Sequence, residues 1–233
     1  MFRIKICGVT QDRDVDDVAA AGADAVGLNF HPPSIRFLES PRAAALATRA
    51  TAAGLTTVGV FVDATAQQIQ TVVDRLGLDY AQLHGDQTAA DARWLSDHGC
   101  RVIRVLRLPV GKLDPQFIRD QVAAWDAVDC PLLLDAEVGT AGGGMGARLD
   151  WDSVGRWAQT EGRAVNWALA GGLSPETVQE AIARTAAGAI DVASGVESPR
   201  GKKSQPRIKA LVAAAKSAWQ AAGRRSEAVP RRA

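Results

Sequence analysis

Eight short β-like runs alternate with eight helical stretches from one end of this 233-residue chain to the other, a regularity that few folds can accommodate. The runs fall at 3–7, 25–30, 57–62, 80–83, 101–106, 132–135, 166–170 and 189–193. The helical stretches, rich in alanine, fall at 12–21, 41–52, 66–76, 88–97, 115–125, 151–159, 175–184 and 203–221. Alternation of this kind builds a parallel sheet, because each helix carries the chain back to start the next strand in the same direction. An open, doubly wound sheet and a closed barrel both use it, and periodicity alone does not separate them. The polar residues do. Cys7, Asn29, His84, Asp135 and Asp191 stand at or near the C-terminal ends of strands drawn from the whole chain, and closure brings such ends around one mouth. The expected fold is therefore α/β, a (β/α)8 TIM barrel, for which about 250 residues is the usual length. Residues 1–222 are expected to form one catalytic domain, and the arginine-rich, aperiodic residues 223–233 a disordered basic tail. Ser40-Pro41 and Ser174-Pro175 each read as a capping hydroxyl before a proline at the first helical position.

Charge and composition narrow the function classes. The 27 Lys and Arg against 26 Asp and Glu leave a net charge of +1, so no overall basic field draws nucleic acid or an anionic membrane surface. The six tryptophans scatter through helices and form no stacking array for bases. Cys7, Cys100 and Cys130 lie far apart without a CxxC or Cys/His cluster, which points away from a zinc site and from a disulfide framework. No apolar run approaches the ~18 residues of a membrane helix, and the chain enters a strand at once instead of opening on a leader. The expectation is a cytoplasmic protein acting on a small molecule.

In the first strand, alternation puts Arg3, Lys5 and Cys7 on one face and Ile4 and Ile6 on the other. The apolar face should meet the helices, leaving Lys5 and Cys7 to point inward about 7 Å apart. An ammonium at that distance is expected to lower the thiol from its reference pKa of ~8.5. A strand cysteine is more often a packing residue, as Cys100 and Cys130 read, but Cys7 stands at a strand's C-terminal end and precedes Gly8. Asp135 follows Leu132-Leu133-Leu134, where a carboxylate is costly unless paired or used; partial desolvation would raise its pKa and suit it to general acid work, the alternative being a solvated strand-end aspartate. The loop from Glu137 to Arg148 carries five glycines and is expected to fold over a substrate. Gly171-Gly172 and Ser194-Gly195 follow the seventh and eighth strands, where barrels frequently hold phosphate on backbone N–H groups. Arg36, after the second strand, is either an exposed structural arginine or a two-pronged carboxylate ligand. His31 and His84 are candidates for substrate contact, whereas His98, beside Gly99, reads as a helix cap.

The segments Lys5-Ile6-Cys7-Gly8-Val9-Thr10, Phe30-His31-Pro32-Pro33-Ser34-Ile35-Arg36, Gln82-Leu83-His84-Gly85, Leu134-Asp135, Leu149-Asp150-Trp151, Leu169-Ala170-Gly171-Gly172-Leu173 and Asp191-Val192-Ala193-Ser194-Gly195-Val196-Glu197 together resemble the phosphoribosylanthranilate isomerase family of tryptophan biosynthesis. The resemblance implies an Amadori rearrangement of N-(5-phosphoribosyl)anthranilate to 1-(2-carboxyphenylamino)-1-deoxyribulose 5-phosphate, with no cofactor and no metal, by a monomer or homodimer. It implies Asp135 as general acid and Cys7 as general base. It also implies Arg36 on the anthranilate carboxylate, and Gly171, Gly172, Ser194 and Gly195 on the phosphate. His84 and Asp191 complete the implied substrate site, Asp191 by hydrogen bonding or by balancing Lys5. Three features depart from the family pattern: Gly143-Gly144-Met145-Gly146 stands where Gly-Gly-Thr-Gly is common, Leu149 where Phe is usual, and the stretch from Glu137 to Gly142 before them is unfamiliar in detail. The competing readings are another sugar-phosphate barrel enzyme and a noncatalytic barrel that binds a phosphorylated metabolite. The cysteine and aspartate pair argues against both.

Overall fold

The structure, a computed structural model, describes residues 1–137 and 148–227. Eight parallel strands close into a barrel in chain order: β1 (Ile4–Cys7), β2 (Ala25–Asn29), β3 (Thr56–Phe61), β4 (Tyr80–Leu83), β5 (Val102–Leu108), β6 (Leu132–Ala136), β7 (Trp167–Leu169) and β8 (Ile190–Val192). The ring of helices comprises α1 (Asp12–Ala21), α2 (Ser40–Ala52), α3 (Ala66–Leu76), α4 (Ala89–Asp97), α5 (Pro115–Ala123), α6 (Trp151–Thr160), α7 (Val178–Thr185) and α8 (Gln205–Glu227). Closure is made by β1 against β8, with Lys5 opposite Asp191, so the ends of the sheet supply the first polar pair of the interior.

Two apolar layers follow from strand alternation. Ile4, Ile6, Val26, Leu28, Leu132 and Leu134 face the helices, and Ala25, Val58, Ile103, Leu133, Ala168 and Ala189 fill the barrel itself. Each barrel-facing position passes its direction to the residue two steps on. Leu133 thus leads to Asp135, Ala189 to Asp191 and Lys5 to Cys7, which is how apolar packing below aims polar side chains into the C-terminal mouth.

Helix starts show where local signals yield to tertiary ones. Thr65 and Thr88 make capping boxes with Gln68 and Asp91, opening α3 and α4. Ser40 is not a cap: it is the first residue of α2 behind Glu39, and its hydroxyl accepts from Arg75 Nη2 at 2.9 Å. The proline at 175 does not open α7 either. A turn over 174–177, tied by the Ser174 N–H to Thr177 Oγ1 at 2.9 Å, precedes a helix that begins at Val178. Helix α8 starts at Gln205, two residues past Lys203, whose side chain is drawn inward to Glu197. It runs on past Gly223 to Glu227, because Arg224, Arg225 and Glu227 favour helix and the first breaker is Pro230. Positions 228–233 of the expected tail lie outside the described residues. Among the described residues no helix is long and apolar enough to cross a membrane.

Candidate active site

The Cys7 side chain is accommodated by an absence. Its register partner on β2 is Gly27, where a Cβ would lie 2.7 Å from Cys7 Sγ, so only glycine leaves the sulfur its place. Beneath it Lys5 is fully buried and pairs with Asp191 at 2.7 Å. Burial works against the Lys5 ammonium, but Asp191 and Cys7 outweigh it and hold the lysine pKa above its ordinary value. Cys7 is partly accessible from the mouth, yet the surrounding protein is dense enough for burial to push its thiol up, with Asp191 adding to the rise and Lys5, Lys203 and Arg36 opposing it. The lowered thiol expected from Lys5 is therefore corrected: Asp191 takes up much of that ammonium's field, and desolvation dominates. Asp191 Oδ1 is buried without a hydrogen-bond partner among the described residues, an acceptor left to whatever enters the barrel.

Asp135 lies three strands away around the barrel, on β6. Burial raises its pKa to about 6, with the Asp191 charge adding to the effect and the Ala136 N–H, Lys5 and Arg107 opposing it. His84, just past β4, brings Nε2 to 3.8 Å from Asp135 Oδ2. That contact is not an ion pair near neutrality, because burial and then the cations Lys5, Arg107 and Arg104 lower the His84 pKa to about 4. Between Lys5 and His84 stands Gln82, buried in the barrel, accepting from Lys5 Nζ at 2.9 Å and reaching His84 Nδ1 at 3.4 Å. Its motif was visible in the sequence; its place between the two was not.

Arg36 is held bidentately by Glu197, at 2.6 Å from Nε and 2.7 Å from Nη2. Lys203 Nζ reaches the same carboxylate at 2.8 Å and the Gly201 N–H donates to it, so burial, which would raise the Glu197 pKa, is overcome and the pKa falls to about 2. The Arg36 stem lies on Gly8, where a Cβ would sit 2.3 Å from Cδ, and Gly8 also has the positive φ of 74° that favours glycine. Neither Glu197 nor Lys203 was singled out from sequence. A carboxylate 161 positions from the arginine it holds, and six from the lysine that shares it, leaves no local pattern to read, the one hint being the glutamate that ends the eighth-strand motif.

The two glycine segments meet. A Cβ at Gly195 would lie 1.8 Å from the Leu173 carbonyl oxygen, so the loops after β7 and β8 touch backbone to backbone. Gly171 and Gly172 have φ of 77° and 67°, and a Cβ at Gly171 would come within 3.0 Å of Asp135 Oδ1, placing this loop directly beside the carboxyl. The amides of Gly171, Gly172 and Leu173 make no hydrogen bond among the described residues. Ser194 opens the short 3-10 turn Ser194–Val196. The glycines at 139, 142, 143, 144 and 146 lie outside the described residues. His31 Nδ1 lies 3.2 Å from Asp63, and His98 caps α4. Burial lifts the Cys100 and Cys130 thiols to about 11, which leaves them inert. Among the described residues no group of His, Cys, Asp and Glu is placed to hold a metal ion.

A family model described as N-(5'phosphoribosyl)anthranilate (PRA) isomerase matches residues 4–214. An N-(5'-phosphoribosyl)anthranilate isomerase of Myxococcus xanthus is 43% identical over 216 residues, 92% of this chain and 96% of that one. The one from Ralstonia nicotianae is 40% identical over 226 residues, 95% of each. Among solved structures, phosphoribosyl anthranilate isomerase from Thermotoga maritima matches with a TM-score of 0.78 at 33% identity, over 93% of this chain and 100% of that one. A structure of phosphoribosyl anthranilate isomerase in complex with reduced 1-(o-carboxyphenylamino)-1-deoxyribulose 5-phosphate matches at 0.74 with 31% identity, over the same shares.

Proposed function

Since the chain belongs to the phosphoribosylanthranilate isomerase family of tryptophan biosynthesis, we propose that its barrel mouth carries out the Amadori rearrangement with Asp135 as general acid and Cys7 as general base. The observation that carries this reading is the Asp135 carboxyl, with its pKa raised to about 6, sharing one mouth with a thiol that the same Lys5 and Asp191 pair influences. Asp135 gives its proton to the furanose ring oxygen as the C1–O bond breaks, and the anilino nitrogen supplies the electron pair that makes the Schiff base. The Cys7 thiolate then takes the proton from ribose C2, giving an enolamine that tautomerises to the ketone. The Gly171-Gly172 and Ser194-Gly195 segments hold the phosphate, and Asp191 Oδ1 accepts from a ribose hydroxyl. His84 donates to substrate or acid from the opposite wall. The test is fluorescence of freshly generated phosphoribosylanthranilate, which well-folded protein is expected to consume; persistence of the signal would overturn the reading.

Arg36 offers the anthranilate carboxylate the donors that Glu197 does not take. Arg36→Ala is expected to raise KM roughly 10- to 100-fold, the scale of a lost charge-assisted pair, with kcat little changed. The variant should fold, because Lys203 still neutralises Glu197. Titration with an anthranilate-bearing product analogue checks it, and unchanged affinity would remove Arg36 from the site.

A further inference from the structure

Gln82 has both ends of its amide committed inside the barrel, and that commitment reads out the proton of His84. Lys5 is a donor only, so the 2.9 Å contact from its Nζ fixes the Gln82 oxygen toward the lysine. The amide nitrogen, also a donor only, must then be the atom 3.4 Å from His84 Nδ1. A ring nitrogen that faces a donor carries its lone pair, and with His84 neutral, its one proton sits on Nε2, 3.8 Å from Asp135 Oδ2. The reversed amide would set an N–H against an ammonium.

We propose that Gln82 is a positioning residue that holds His84 in the Nε2–H tautomer, so that His84 presents a hydrogen-bond donor to Asp135. The consequence rests on Asp135 acting as the acid; the tautomer does not. When Asp135 releases its proton, the new carboxylate meets an N–H. The other tautomer would present a lone pair, which favours keeping the proton on the carboxyl. The charged and titratable groups facing this pair are Lys5, Asp191, Arg104, Arg107 and His31, and none of them needs to change state for the donor to act.

Gln82→Glu tests the proposal in the full-length protein. Its carboxylate accepts from Lys5 with one oxygen and from the imidazole with the other, which moves the His84 proton to Nδ1. Long-range 15N–1H correlation NMR near pH 8 is expected to show Nε2–H in the wild type and Nδ1–H in Gln82→Glu, with kcat lowered roughly 10- to 100-fold, the scale of one hydrogen bond to a charged group. In a His84→Gln background, whose amide donor has no tautomer to set, Gln82→Glu is expected to change kcat less than about twofold. A wild-type Nδ1–H signal, a moved proton with kcat unchanged, or an equal loss in the His84→Gln background would each overturn it. Should Gln82→Glu fail to fold, Gln82→Met removes both amide functions, and mixed tautomers with a smaller loss of kcat are expected; a single Nε2–H tautomer there would overturn the proposal. Failure of the underlying reading shows separately, as turnover retained by Asp135→Asn.

Discussion

Asparagine at position 135 is expected to lower kcat by at least ~10²-fold and, at pH 7.5, to make the protein more stable. The amide keeps the shape of the side chain and still accepts from the Ala136 N–H, as Asp135 does at 2.9 Å, but it has no acid proton to give. The sign of the stability change follows from the raised carboxyl. With a folded pKa of about 6 against an unfolded value near ~3.9, the folded state binds the proton more tightly than the unfolded chain does. The stability this contributes is fully present below about pH 4 and is lost as pH rises through 6. Asparagine never ionises, so at pH 7.5 it should gain roughly 1–3 kcal/mol over the wild type, a gain that shrinks toward zero near pH 4. Urea unfolding at the two pH values measures this beside kcat. Near-normal turnover would remove Asp135 as the acid, and a stability difference independent of pH would remove the raised carboxyl.

What the sequence disclosed was whatever a strand or a loop states locally. Eight alternations specified a parallel α/β sheet, and the polar strand ends argued for its closure into a barrel and marked the mouth. Asp135 could be read as a strained carboxyl because Leu132 to Leu134 announce its surroundings. The direction of the Cys7 thiol could not, since it depends on Asp191 meeting Lys5 through barrel closure, a contact across 186 positions of sequence. Arg36 was legible as a cation near the mouth, while the Glu197 and Lys203 that orient it come from the far end of the chain. Gln82 looked like one more polar residue in a short strand until Lys5 and His84 were placed on either side of it. Local signals also overreached: Ser40 and Ser174 have the form of caps, but Ser40 accepts from Arg75, and the Ser174 hydroxyl accepts from the Glu176 N–H inside a turn that ends before α7 begins.

Serine at position 7 should likewise lose at least ~10²-fold in kcat, because a hydroxyl of nearly the same size cannot give up its proton near neutrality. The pH profile makes the assignment sharper than the loss alone. Burial raises the Cys7 thiol, so the thiolate is a minor species at pH 7, and Asp135 near 6 is mostly ionised there. The competent form, thiolate with protonated carboxyl, is a minority whose population is the product of the two. Below pH 6 it grows with pH, because thiolate increases while the carboxyl stays protonated. Between 6 and the thiol pKa the gain in thiolate cancels the loss of protonated carboxyl, and above the thiol pKa only the loss remains. The wild-type kcat/KM should therefore climb to about pH 6 and hold level through neutrality. The climbing limb follows the thiolate of the base and should vanish from the residual activity of Cys7→Ser. The falling limb follows the protonated carboxyl of the acid and should vanish from that of Asp135→Asn. Loss of the opposite limb from either variant would exchange the two roles, and near-normal turnover of Cys7→Ser would return the thiol to packing. A raised thiol is compatible with speed because the scarcer thiolate is also the stronger base toward the C2 proton, so burial lowers its population while increasing its driving force.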